Sequence, residues 1–217
     1  SAGGASGAAG PAWVCPAHPP RSRADRSPAA GLAREHPTGS VPPVLVLRDA
    51  HPGDPPLDIA VSHALLRRVA AGEQPATVRL YRPGPALAFG RLDELAPGFG
   101  AACAAGRARG FTPLRRLAGG RAAAYDEGSL IYEEIVPTGA GPQEMTERFD
   151  AATALLAGTL RALGADARIG PIPGEYCPGR HSIGVGGRLK VVGAAQRVVR
   201  GGALLSAVLV IGHGDRV

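Results

Sequence analysis

Apolar residues show scarcely any periodic pattern over residues 1–42 and become regular from Val44 onward. Val44-Leu45-Val46-Leu47 reads as a strand. Pro55-Pro56 then opens a helix expected over Leu57–Ala71, with Ile59, Val61, Leu65, Leu66 and Val69 approximating one face. Thr77–Tyr81 alternates as a strand does, with Val78 and Leu80 on one side. After the turn residues Pro83-Gly84-Pro85, Ala86–Gly90 reads as the second strand of a hairpin. A small-residue helix is predicted over Phe99–Ala108 and a strand over Thr112–Arg116. Ala122–Tyr125 and Ser129–Val136 form a second expected hairpin, around Asp126-Glu127-Gly128. Met145–Leu163 carries the clearest helical spacing, with Phe149, Leu155, Leu156, Leu160 and Leu163 apolar. Ile183–Val185, Leu189–Val192 and Ala203–Ile211 complete the set as strands. Strands outnumber helices and hairpins are frequent, so the expected class is α+β with a mixed, largely antiparallel sheet packed by helices.

Composition sharpens this picture in a few places. Residues 1–42 are dominated by Ala, Gly, Pro, Ser and Arg, which reads as a disordered tail before a domain over 43–217. Aromatics make up only 4% of the chain, so Val, Leu and Ala must fill the core. The net charge is +6, but the arginines are scattered and few aromatics could stack on bases, so no nucleic-acid partner is expected. An acidic protein partner suits the same charge. No apolar run reaches the length of about 18 residues that would span a membrane. No signal-peptide pattern is visible either, and a reducing cytoplasm is the expected setting. The three cysteines, Cys15, Cys103 and Cys177, match neither a disulfide framework nor a zinc-ligand spacing, so no metal site is expected.

Three segments could carry chemistry. Arg115-Arg116-Leu117-Ala118-Gly119-Gly120-Arg121 follows a strand; its glycines allow close backbone approach to a ligand, and paired arginines can meet a carboxylate or phosphate. A tight turn with a solvated basic edge explains the same residues. Gly174-Glu175-Tyr176-Cys177-Pro178-Gly179 puts a cysteine among turn residues, exposed enough to react as a thiolate, with Arg180 and His181 close behind. His181 could act as its base; a cysteine in a loop can equally be inert. The third segment, Gly186-Gly187-Arg188-Leu189-Lys190, places the one lysine among 24 Lys and Arg residues on an apolar strand. A compact ammonium there can hold an acyl carbonyl or a developing oxyanion, where the broad planar guanidinium of arginine is a poor substitute. The glycines Gly184, Gly186 and Gly187 do not have dinucleotide-fingerprint spacing, and a strand follows them.

Taken in order over residues 44–211, these segments resemble the catalytic domain shared by lipoate–protein ligases, biotin ligases and octanoyltransferases. The resemblance rests on Leu57-Asp58, Val78-Arg79-Leu80-Tyr81, the Arg-Arg-x-x-Gly-Gly loop, and the Lys190-x-x-Gly193-x-x-Gln196 strand. ATP-dependent lipoate ligases typically carry Asn-Asp shortly before the Lys strand. This sequence has no Asn and reads Cys177-Pro178-Gly179-Arg180-His181-Ser182 there, which is similar to the cysteine-dependent octanoyltransferases.

That resemblance implies transfer of an octanoyl or lipoyl group to the lysine of lipoyl-carrier domains through a Cys177 thioester, with Lys190 stabilising the oxyanion. The implied partners are the glycine-cleavage carrier and the acyltransferase subunits of 2-oxoacid dehydrogenases. Arg79, Arg115, Arg116, Gly119, Gly120, Gly193 and Gln196 are implied to bind substrate, with the Gly119-Gly120 loop and the strand around Arg79 forming the slot for the acyl group. No cofactor is implied; ATP and Mg enter only under the alternative of an ATP-dependent lipoate–protein ligase. A second alternative is a non-catalytic relative that binds a lipoyl domain. Three positions depart from the family pattern: Ala118 replaces a small hydroxyl residue, Arg121 a third Gly and His181 a more usual Tyr. The chain also stops at Val217, where relatives continue through a further helix, so the domain reads as short at its C-terminus.

Overall fold

The computed structural model describes residues 43–138 and 141–215, and in it a large sheet and a small one face each other. The expected tail over 1–42 lies outside the described residues. The elements run β1 (Leu45–Leu47), α1 (Pro55–Ala70), β2 (Thr77–Tyr81), β3 (Ala86–Phe89), α2 (Arg91–Glu94), α3 (Phe99–Ala108) and β4 (Thr112–Arg115). They continue with β5 (Ala123–Tyr125), β6 (Ser129–Thr138), α4 (Pro142–Ala162), β7 (Ala167–Ile169), β8 (Ile183–Val185), β9 (Leu189–Val199) and β10 (Gly201–Val210). The large sheet has the order β1-β2-β6-β10-β9-β8-β7 and the small one β4-β3-β5. Among the described residues only β1–β2 and β3–β4 pair in parallel, so the α+β, largely antiparallel expectation stands.

The period of two along the strands sorts the large sheet into two faces. Tyr132, Val192, Leu205, Ala207 and Leu209 point to one face, where Ala152, Leu156 and Ala157 of α4 cover them. Val78 and Leu80 pack on that side too, as their alternation predicts. On the opposite face, Ile135 and Leu204 meet Leu65, Leu66 and Val69 of α1. Further along it, Tyr81 and Ile131 meet Ala86, Ala88 and Tyr125 of the small sheet. Leu155 and Leu163, expected on the buried face of α4, are exposed; Phe149, Leu156 and Leu160 pack inward as expected, joined by Ala152 and Ala157.

Neither expected hairpin forms. β2 pairs with β1 and β6, whereas β3 pairs with β4 and β5. Pro83 and Pro85 have no N–H to continue a ladder. Between them, a Cβ on Gly84 would stand 1.9 Å from the Pro52 carbonyl oxygen, so the chain here is packed backbone against backbone. The Asp126-Glu127-Gly128 turn likewise passes from β5 in one sheet to β6 in the other. Asp126 is buried and accepts the Gly128 N–H at 2.8 Å on its side chain and the Ser129 N–H at 2.9 Å on its carbonyl. The Gly128 carbonyl in turn accepts from Ile211 and Gly212. These two crossings hold the sheets apart as facing layers.

One buried ion network ties α1 to the large sheet. Arg79 on β2 is 0% exposed. Its guanidinium donates to Asp58 of α1 (2.5 Å to Oδ1, 3.0 Å to the carbonyl), to Asp49 and to Ser62, and lies 3.8 Å from Glu133 of β6. Removing one partner from such a network leaves charge uncompensated in the interior. Arg79→Met is expected to lower unfolding free energy by about 3–5 kcal/mol in chemical denaturation; a loss below about 1 kcal/mol would contradict this reading.

Candidate active site

The facing sheets leave a cavity of about 780 Å³ between them. Its floor is one face of the large sheet: Ile131 and Glu133 of β6, Ser206 and Val208 of β10, and Gly193 and Ala195 of β9. Register places these side by side, because Val208 lies opposite both Ile131 and Gly193, and Ser206 opposite both Glu133 and Ala195. Ala123 and Tyr125 of the small sheet, with the Arg116–Arg121 loop, form the other wall. Cys177, Pro178 and Gly179 line the cavity from the loop between β7 and β8, beside Lys190.

That loop lacks helix and strand, so its shape rests on specific contacts. Gly170 N–H donates to the Ser182 carbonyl (2.9 Å), Glu175 N–H to Ile172 (3.1 Å) and Ser182 N–H to Gly179 (3.1 Å). Cys177 is an exposed free cysteine with φ +55°, a left-handed conformation that non-glycine residues seldom adopt. Lys190 Nζ donates to the carbonyls of Cys177 (3.0 Å) and Tyr176 (3.3 Å) and pairs with Glu175 Oε2 at 2.7 Å. Burial would raise the Glu175 pKa. Hydrogen bonds from Lys190, Ser182 and the N–H groups of Ile172 and Gly179 outweigh it and hold the carboxyl at about 2.

The remaining expected residues divide into two sets. Arg116, Gly120 and Gly193 line the cavity. Arg116 Nη2 donates to the Arg121 carbonyl at 2.5 Å, and its Nε is buried without a hydrogen-bond partner among the described residues. Burial lowers the Arg116 pKa, opposed by Tyr125, Cys177 and other groups facing it. Gly120 has φ +88°, and a Cβ there would stand 2.7 Å from Arg116 Nη2. Arg79, Arg115, Gly119 and Gln196 do not line the cavity. Arg79 shares a sheet face with the floor residue Glu133 but is enclosed by α1 in its ion network, 3.9 Å from the ring centre of cavity residue Tyr81. Arg115 is exposed and faces Glu94 at 3.5 Å. Gln196 holds the glycine loop in place: its carbonyl accepts the Gly119 N–H, while its side chain bonds Met145 and Arg148 of α4. His181, considered as a base for Cys177, instead bonds Asp150 (2.8 Å) and stacks on Phe149.

Glu175, Ser182, Glu133, Ser62 and Tyr125 belong to the site and carry no pattern of their own in the sequence. Among the described residues, one Asp/Glu/His group, Asp126-Glu127-His213, brings its ligand atoms within 4.8 Å of one another. It sits at the β5–β6 corner outside the cavity lining, where Asp126 already bonds Gly128 and His213.

Residues 54–213 match the lipoyl protein ligase A/B catalytic domain. The chain belongs to that family. Among its relatives, the octanoyl-GcvH:protein N-octanoyltransferase of Geobacillus kaustophilus is 32% identical over 152 residues, covering 70% of this chain and 53% of the relative. The enzyme of the same name from Bacillus velezensis is 30% identical, covering 69% and 52%. The chain therefore spans about half the length of these curated relatives. Solved structures agree on the fold. A T. acidophilum protein assigned as a lipoate protein ligase, with lipoic acid bound, superposes with a TM-score of 0.63 at 24% identity, over 76% of this chain and 67% of its own. A lipoate-protein ligase A bound with ATP gives 0.60 at 24% identity, over 76% and 66%. No described helix of this family member is long and apolar enough to cross a membrane.

The cavity floor generates a pH dependence. One guanidinium, Arg79, faces three carboxylates: Asp58, Asp49 and Glu133. Glu133 is farthest from it. Burial pushes its pKa up to about 7, partly offset by the 2.6 Å bond from Ser62 and by Arg79. A carboxyl raised on folding contributes stability at low pH that is lost as pH rises through 7. Wild type is therefore expected to lose stability relative to Glu133→Gln between about pH 4.5 and 7. Parallel denaturation curves across that range would contradict it.

Proposed function

We propose that this domain transfers an octanoyl or lipoyl group between lipoyl-carrier domains through a thioester on Cys177. The observation that carries the reading is the exposed Cys177 beside Lys190 at a largely apolar cavity between the sheets. The names of the relatives support the same chemistry, and the donor we infer is an octanoylated glycine-cleavage carrier. The acceptors we infer are the lipoyl domains of 2-oxoacid dehydrogenase acyltransferase subunits.

In the first step Cys177 Sγ attacks the acyl carbonyl on the donor lysine. The C–S bond forms and the amide C–N bond breaks. The thiol proton leaves with the freed lysine amine, and the acyl chain lies in the cavity against Ile131, Val208 and Gly193. In the second step the acceptor lysine amine attacks the thioester, the C–S bond breaks, and the proton returns to Cys177. One amide is exchanged for another, so the reaction balances without a nucleotide. Splitting the exchange through a covalent intermediate replaces one hard step by two easier ones. Lys190 has three donors, and its contact to the Tyr176 carbonyl is the longest. The developing oxyanion takes over that place. A relay through a free thiol also calls for a reducing compartment, the cytoplasm.

Intact mass spectrometry after incubation with an octanoylated carrier domain tests the reading. Wild type is expected to gain one octanoyl group, released by hydroxylamine, and Cys177→Ser none. Lys190→Ala is expected to slow adduct formation by about 100- to 1000-fold, the scale of losing one oxyanion donor. No adduct on folded wild type would overturn the thioester; product made only with ATP and free lipoate would assign ligation instead.

A further inference from the structure

Cys177 is held in a left-handed backbone conformation within a loop that has no regular structure. Such a conformation is strained and persists only where the surroundings over-determine it. The contacts that over-determine it converge on one side chain. Glu175 exposes only 1% of its side chain, and its carboxylate accepts four hydrogen bonds. Oε1 takes the N–H of Ile172 at 2.9 Å and of Gly179 at 3.4 Å. Oε2 takes Ser182 Oγ at 2.6 Å and Lys190 Nζ at 2.7 Å. Ile172 and Gly179 stand on the two sides of Cys177, Ser182 closes the loop onto β8, and Lys190 belongs to β9. One carboxylate thus fastens both limbs of the loop to each other and the loop to the lysine.

We propose that Glu175 is a positioning residue: it fixes the Cys177 loop and the Lys190 ammonium as one unit, so that nucleophile and oxyanion donor keep their mutual geometry while the acyl group arrives and leaves. The proposal rests on the transfer reading above for its catalytic consequence, and on the loop geometry alone for its structural one. Its logic is that of a preorganised site. A donor held by its own buried partner need not reorganise when charge develops. A small displacement of Cys177 against Lys190 would sacrifice much of the gain from orientation. Glu175 touches no reacting atom and acts through Lys190 and the loop backbone.

The discriminating variant is Glu175→Gln, which keeps the Oε1 acceptor for both backbone N–H groups and removes the charge that holds Lys190. Loss of a charge-assisted bond of this kind is expected to lower kcat for transfer by at least about tenfold while KM for the carrier stays within about threefold. Ser182→Ala, which deletes one neutral donor, is expected to lower kcat about threefold. Tryptic cleavage after Arg180, inside the loop, is expected to accelerate in both. Kcat within about twofold of wild type in both variants, or in Ser182→Ala alone should Glu175→Gln fail to fold, overturns the proposal. Should wild type transfer no acyl group, the transfer reading fails by itself. The cleavage assay then decides the structural part, and unchanged cleavage in the variants overturns it.

Discussion

The structure is organised around Arg79. A fully buried guanidinium is tolerable only if every face of it is answered, and the answers come from Asp58 and Ser62 on α1, Asp49 after β1 and Glu133 on β6. Those contacts fix α1 over one part of the large sheet. The neighbouring part is left to the small sheet, and the cavity opens where the helix cover ends and the facing sheet begins. The same network sets the polarity of the cavity floor. With one cation and three carboxylates, the acid farthest from the charge, Glu133, is the one that burial drives towards neutrality.

The Cys177 end of the cavity is built by the opposite strategy. No regular element carries Cys177, so its position depends on a small polar cluster on one buried carboxylate. Glu175, Lys190 and Ser182 concentrate their hydrogen bonds in the few residues around the thiol. The apolar walls need only complementary shape, and small residues such as Gly193, Ala195 and Ala123 provide the room. A polar, strained mouth over an apolar slot suits the proposed chemistry at one carbonyl, with the rest of the acyl group merely accommodated.

Much of this was legible in the sequence, and the failures share a cause. The strand and helix positions follow from apolar periodicity, which is a property of consecutive residues. Cys177 in a Pro-Gly loop and the lone Lys190 on an apolar strand stand out because they break their local pattern. The two turns Pro83-Gly84-Pro85 and Asp126-Glu127-Gly128 read as hairpins because they turn the chain equally well whether the flanking strands pair or diverge into two sheets. Arg79 was expected to contact substrate because its strand forms part of the slot. Its side chain is consumed by Asp58 and Asp49, partners 21 and 30 residues away. Glu175 and Glu133 were missed for the same reason. A glutamate in a loop or an alternating strand looks solvated until a distant Lys or Ser is brought against it.

The central claim is that Cys177 passes an acyl group onward. The most direct measurement isolates octanoyl-protein, freed of donor, and mixes it with an unmodified lipoyl domain in the absence of nucleotide. The account predicts that the octanoyl group leaves Cys177 and appears on the acceptor lysine in matching amounts, followed by mass spectrometry of both chains. An octanoyl group that stays on Cys177, or that moves only when ATP is supplied, would contradict it.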